Sequence, residues 1–226
     1  RLWVGGDMGL IMLEGGKWTS HTPEDVKFVK DIVTDSKGRI FVTGWSSDAI
    51  NKVAKGLTIY DNGAWKSHVK ENSDMPSNFI EHLTIDKKER VWATFGRESE
   101  GLVCFTDGKF ERITKGNSDL PDYHVRAIYC DQEGTMYFAT PKGVGILKND
   151  KWSTQSFKSI NEDPLMERMG LGWATKEPDI LSIAVDHSGT MWLGTVGEGL
   201  IMIGKNQVGK LTRAGSPLTS DFVNKI

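Results

Sequence analysis

Apolar residues along this chain gather in short stretches broken by polar turns, and the stretches recur. The phrase NFIEHLTIDKKERVWATF at 78–95 stands beside YHVRAIYCDQEGTMYFAT at 123–140, and each continues a similar turn, NSDMPSN at 72–78 and NSDLPDY at 117–123. DIVTDSKGRIFVTG at 31–44 and LSIAVDHSGTMWLGT at 181–195 carry the phrase twice more. Asp35, Asp86, Asp131 and Asp186 anchor the copies, and six residues after each comes an aromatic: Phe41, Trp92, Tyr137, Trp192. A Gly-led apolar segment follows (GLTIYD, GLVCFTD, GVGILKN, GLIMIGK), then a fourth apolar stretch holding Trp65, Phe110, Trp152 or Leu211. Each unit therefore reads as four short strands. Between the first two, D-x-x-G predicts a tight turn in which Asp bonds the backbone two residues on and Gly takes a positive φ. Glu89 stands where that Gly is expected, so one copy must adopt another geometry or carry strain.

A period of roughly 45 to 55 residues with four strands per unit predicts an all-β fold, a β-propeller of four-stranded antiparallel blades. The chain opens with RLWVGGDMGLIMLEGGKW, which lacks a first strand, and ends with LTSDFVNKI, which matches the first-strand segment MPSNFIEHL. The expectation is one domain over 1–226 with five blades: 1–20 plus 222–226, 26–68, 79–114, 124–157 and 179–213. The first blade is expected to be closed by the C-terminal strand FVNKI, which would remove exposed sheet edges.

The run N-S-x-L-P-x-x-x-V-x-x-I-x-x-D-x-x-G-x-x-W-x-G-T-x-x-G-L, present in pieces as NSDLPDYHVRAIYCDQEG, DHSGTMWLGTVGEGL and GSPLTSDFV, resembles the two-component regulator propeller repeat. The resemblance covers nearly the whole chain. It implies an extracytoplasmic, periplasmic or extracellular, sensor module of the kind found in bacterial hybrid histidine kinases, many of them linked to carbohydrate uptake. Family members usually carry more blades than five, with a membrane segment and a kinase, and stand-alone relatives also occur.

Six of the eight tryptophans fall in repeat columns and read as blade packing: Trp3, Trp92 and Trp192 on second strands, Trp18, Trp65 and Trp152 on fourth strands. Trp45 and Trp173 match no column. Trp45 opens the insertion GWSSDAINKVAKG, and Trp173 lies in KSINEDPLMERMGLGWATKEP. Second-to-third-strand turns and blade-to-blade turns share one face of such a disc, so both rings are expected on that face. SSDAINKVAKG and DPLMERMG carry capping residues and a closing Gly, which predicts a short helix in each. The insertion FGRESEG joins them there. Trp45 and Trp173, with Asp48, Asn51, Lys52, Arg97, Glu98 and Arg168 as polar directors, make the candidate ligand-binding face. Flat rings beside carboxylates and amides suit small-molecule or oligosaccharide ligands. The same rings would equally serve as loop anchors packed on the disc.

Composition narrows the classes further. Lys plus Arg total 28 and Asp plus Glu total 30 without blocks, net charge −2, which predicts no nucleic-acid footprint. No apolar run approaches the roughly 18 residues of a membrane span, so no membrane insertion by this segment is expected. The aspartate turns offer one carboxylate each where calcium needs six or more oxygens, and the five histidines are scattered, so neither a metal nor a cofactor is expected. His82 and His124 flank the expected axial opening. Cys104 and Cys130 fall in core columns. Near the axis, one column reads Lys30, Glu81, Arg126, Leu181, Asn224 and the next Asp31, His82, Ala127, Ser182, Lys225, mixed charges that suit structural pairs. No catalytic residue is assigned. The expectation is a binding or sensor module joined to other domains of a larger signalling protein; the alternative is a propeller enzyme of lyase, lactonase or glycosidase class.

Overall fold

The computed structural model describes every residue except 8, 24–25, 47–52, 96–100, 157–177 and 206–207. Among the described residues all regular structure is β, in five antiparallel sheets whose strands follow chain order. The first sheet holds β1 (Leu2–Gly6), β2 (Gly9–Glu14) and β3 (Lys17–Ser20). The second holds β4 (Phe28–Thr34), β5 (Ile40–Trp45), β6 (Ala54–Asp61) and β7 (Ala64–His68). The third holds β8 (Ile80–Ile85), β9 (Val91–Phe95), β10 (Leu102–Thr106) and β11 (Lys109–Ile113). The fourth holds β12 (Ala127–Cys130), β13 (Met136–Thr140), β14 (Gly143–Lys148) and β15 (Lys151–Ser156). The fifth holds β16 (Ile180–Val185), β17 (Met191–Thr195), β18 (Leu200–Ile203) and β19 (Val208–Leu211). Two compact units divide them, Arg1–Arg112 and Ile113–Ile226.

The second strand of each full sheet is its most buried. β9 is buried at every position and β5 at all but its last, so these strands read as continuous apolar runs. In the first unit, Phe41, Leu57, Met75, Ile80, Leu83 and Phe105 form one cluster, and Leu10, Val26, Ile40 and Val42 another against Trp3 and Trp65. In the second unit, Ala139, Val144, Ile180, Leu193 and Ile201 pack together. Trp92 is 1% exposed, but Trp18, expected in blade packing, is 53% exposed on β3. A repeat column fixes a side chain's register and not what covers it.

The aspartate turns are alike. Gly38, Gly134 and Gly189 donate their N–H to the carbonyl three residues back, at 2.9–3.1 Å, and each has φ between 80° and 88°. Glu89 takes the same place with φ 62° and the same 3.0 Å bond to the Asp86 carbonyl, so this copy keeps the geometry and carries the strain. Its carboxylate accepts from Ser36 N at 2.8 Å in the neighbouring turn, a bond Gly could not make.

The closing strand expected at 222–226 is not shown: the first sheet has three strands. That segment is tied to the fifth sheet, where Phe222 bridges Val196 and Val223 N donates to Thr195 O at 2.9 Å. Asp221 explains the attachment, because its carbonyl accepts from Gly199 N at 2.9 Å and its carboxylate from Arg213 N at 2.6 Å. Asn78 does the same before the third sheet, its carbonyl accepting from Gly56 N at 3.1 Å and its side chain from Lys70 N at 2.7 Å. Residues 216–222 thus repeat the entry turn of the earlier sheets.

Candidate functional site

Trp45 is the last residue of β5, set opposite Phe28 on one side and Ala54 on the other. Its ring is half-buried and meets Phe79 with centroids 5.8 Å apart at 54°. Lys30 lies over both rings, its Nζ 5.4 Å from the Trp45 centroid and 5.5 Å from that of Phe79. At these distances an ammonium is attracted by the ring quadrupoles. Glu81 on β8 pairs with the same ammonium. One residue along, Asp31 accepts from Leu83 N at 2.8 Å and stands 4.0 Å from His82 Nδ1. The first two members of each mixed-charge column thus pair between β4 and β8. The result is an amphipathic patch: two tilted rings, one of them (Phe79) 39% exposed, bordered by an ammonium, an imidazole and two carboxylates.

The loop that carries Asp48, Asn51 and Lys52 leaves and rejoins beside Trp45, closed by a 3.0 Å bond from Ser46 N to Val53 O. Those three residues, with Arg97, Glu98, Arg168 and Trp173, lie outside the described residues, as does the helix expected at 163–170. The helix expected to end at Gly56 does not reach it, because Ala54–Asp61 is strand β6. Gly56 is required for another reason: a Cβ there would sit 2.2 Å from the His68 carbonyl oxygen.

Trp45 does occupy a repeat position, contrary to expectation. Val196 directly follows β17, ten residues after Asp186 as Trp45 is ten after Asp35, and it bridges Phe222, the counterpart of Phe79. The Trp45–Phe79 contact is thus the larger version of a recurring seam contact. In the second unit His124 takes the Phe79 position. It lies 3.2 Å from the Asp122 carboxylate, which Lys142 Nζ approaches at 2.9 Å. Burial opposes ionisation of Asp122, but the bonds from Lys142 and from His124 outweigh it and hold the carboxyl at about 2. Arg126 reaches Asp179 at 3.6 Å. Burial pushes the Cys104 thiol up to about 11, which keeps it protonated at neutral pH in its core column. Among the described residues no group of three or more His, Cys, Asp and Glu side chains is placed to hold a metal ion.

A cleft of about 340 Å³ in the second unit was not foreseen. It lies between the aspartate turns of the fourth and fifth sheets, with Tyr129 and Tyr137 on one side and Val185, Asp186 and His187 on the other. The signal was present within a column: Tyr129 stands where the other first strands have Val33, Thr84 and Ala184.

The family model described as two component regulator propeller matches residues 119–142. The copy of the repeat at 119–142, where Tyr129, Asp131 and Tyr137 stand, is the one this model matches. No curated protein matches the chain. Solved structures share its fold. PorZ, a surface component of the type-IX secretion system of Porphyromonas gingivalis, superposes with TM-score 0.62 at 16% identity, over 97% of this chain and 33% of that one. The extracellular domain of a protein described as a hybrid two component system from B. thetaiotaomicron gives TM-score 0.62 at 20% identity, over 90% of this chain and 26% of that one. Virginiamycin B lyase from Staphylococcus aureus gives 0.56 at 14%, over 84% and 56%. At such identities the likeness shows the fold, a β-propeller, and nothing of the chemistry. The chain spans a third or less of the first two proteins and about half of the third.

Proposed function

We propose that the chain is an extracytoplasmic ligand-binding module of sensor type, one propeller domain over 1–226, serving a larger signalling protein and taking an oligosaccharide. The Trp45–Phe79 pair under Lys30 is the observation that carries this reading. Sugar rings have an apolar face and a hydroxylated edge. A half-buried indole beside an exposed phenyl ring suits the face, while Lys30, Glu81, Asp31 and His82 offer donors and acceptors to the edge. The loop with Asp48, Asn51 and Lys52 rejoins the sheet at this patch and is the natural place for further contacts. The fold shared with a two component system's extracellular domain supports the location and the signalling role. Among the described residues no helix is long and apolar enough to cross a membrane.

The test is a titration of the chain with a panel of soluble oligosaccharides, read by tryptophan fluorescence and melting temperature, with chromatography of the sugars afterwards. Saturable binding with intact sugars is expected. Cleaved sugars would replace the binding reading with a glycosidase, and the absence of saturable binding to any member would remove the carbohydrate.

A further inference from the structure

The cleft in the second unit has a chemistry of its own. Tyr129 OH donates to the Val185 carbonyl at 3.3 Å, and Tyr137 OH donates to Asp131 Oδ2 at 3.2 Å. Each phenol has one proton and two acceptor sites. With both protons committed to the protein, and Thr135 also bonded to the Tyr137 hydroxyl, what the two phenols have left to offer is acceptor capacity. Burial, then the charge of Asp131, pushes the Tyr137 phenol up to about 12, so it keeps its proton at neutral pH. The rings themselves lie 6.4 Å apart, tilted 44°, close enough for one cation to reach both faces.

Charge points the same way. Asp131 and Asp186 line opposite sides of the cleft, and Glu133 at the rim is paired with Lys148 at 3.0 Å. Ser188 and the Trp192 indole N–H, both bonded to Asp186, hold its carboxyl at about 2. Three carboxylates and one ammonium leave an excess of negative charge around two aromatic rings. That excess favours a cation over an anion, and the two ring faces add to its attraction, while Gln132, His187 and Ser188 supply the remaining polar lining. The complementary ligand is rich in donors, positively charged and carried on an apolar stem.

We propose that the cleft between Tyr129, Tyr137 and Asp186 is a binding site for a small organic cation, a primary alkylammonium or guanidinium. It is separate in the chain from the patch at Trp45 and stands independently of the carbohydrate reading. Volume fits the class, since about 340 Å³ holds a ligand of modest size.

Titration with 1,4-diaminobutane, followed by NMR of the tyrosine rings and of the amides of residues 186–189, tests it against 1,4-butanediol and glucose at the same concentrations. Two variants keep the fold by using residues found at the same place in the third sheet: Tyr129→Thr, as at Thr84, and His187→Lys, as at Lys87. The diamine is expected to bind saturably with shifts confined to the cleft, and each variant to bind at least fivefold more weakly, His187→Lys with an unchanged melting temperature and Tyr129→Thr while still folded by the same spectra. Equal binding of the diol or glucose, no saturable shift, or either variant binding as the parent does would overturn the proposal.

Discussion

The Trp92 indole N–H donates to Asp86 Oδ2 at 3.0 Å, from a side chain only 1% exposed. Asp86 also accepts from Lys88 N and Arg90 N at 2.9 Å and from Arg90 Nε at 2.6 Å, so one carboxylate closes the turn and anchors the wedge ring. Asp186 holds Trp192 in the same way at 3.1 Å, and Asp131 holds Tyr137. Asp86→Ala leaves these donors without their acceptor and should cost about 2–3 kcal/mol. Trp92→Ala should cost about 3–5 kcal/mol through the cavity it opens. Urea unfolding of both variants checks the order; equal stability of Asp86→Ala and the parent would show that the bond to the ring is dispensable.

Glu89 separates strain from bonding. At φ 62° it pays for a side chain in the left-handed region while its carboxylate holds Ser36 N. Glu89→Ala keeps the strain and loses the bond; Glu89→Gly loses both. The glycine variant should therefore be the more stable of the two by about 1 kcal/mol. Thermal unfolding of the pair measures it, and a more stable alanine variant would contradict the backbone reading.

Acid should act through Asp122 and Asp186, both held at about 2 against an ordinary 3.8. Folding lowers these values, so the stability they contribute is fully present above about pH 4 and is lost as pH falls toward about 2. Urea midpoints measured between about pH 5 and about pH 2 should fall, and should fall less steeply in Asp122→Asn and in Asp186→Asn. Parallel curves for parent and variants would assign the acid loss to other groups.

The strands and turns were legible because the repeat compares the chain with itself: Asp35, Asp86, Asp131 and Asp186 fall at the same joint, and even the strain at Glu89 follows from its column. The bonds that Asp86, Asp131 and Asp186 accept from the aromatic six residues on need the hairpin register, which spacing alone does not supply. Trp45 does not stand out as a repeat position in the sequence because its counterpart, Val196, is small and the residue that Val196 bridges, Phe222, lies beyond two further strands. The match of 222–226 to first-strand residues predicts a local conformation, not the partner it pairs with, which is why Phe222 meets the fifth sheet where a closing strand was expected. The cleft at Tyr129 went unseen for a different cause. Insertions break a repeat visibly, whereas this feature is one enlarged side chain inside a regular column, and its opposite wall belongs to the next sheet.

The measurement that bears most directly on the binding reading compares Trp45→Ala with the parent protein, using the tightest oligosaccharide from the panel and urea unfolding of the same samples. A ring that meets the sugar should lose at least about 1 kcal/mol of affinity, roughly fivefold, when removed. Because Trp45 is half-buried at a strand end, its loss of stability should stay well below that of Trp92→Ala. That combination is the predicted result. Unchanged affinity in Trp45→Ala, or unfolding as ready as that of Trp92→Ala, would leave the Trp45–Phe79 pair as a seam contact alone and contradict its role as the ligand platform.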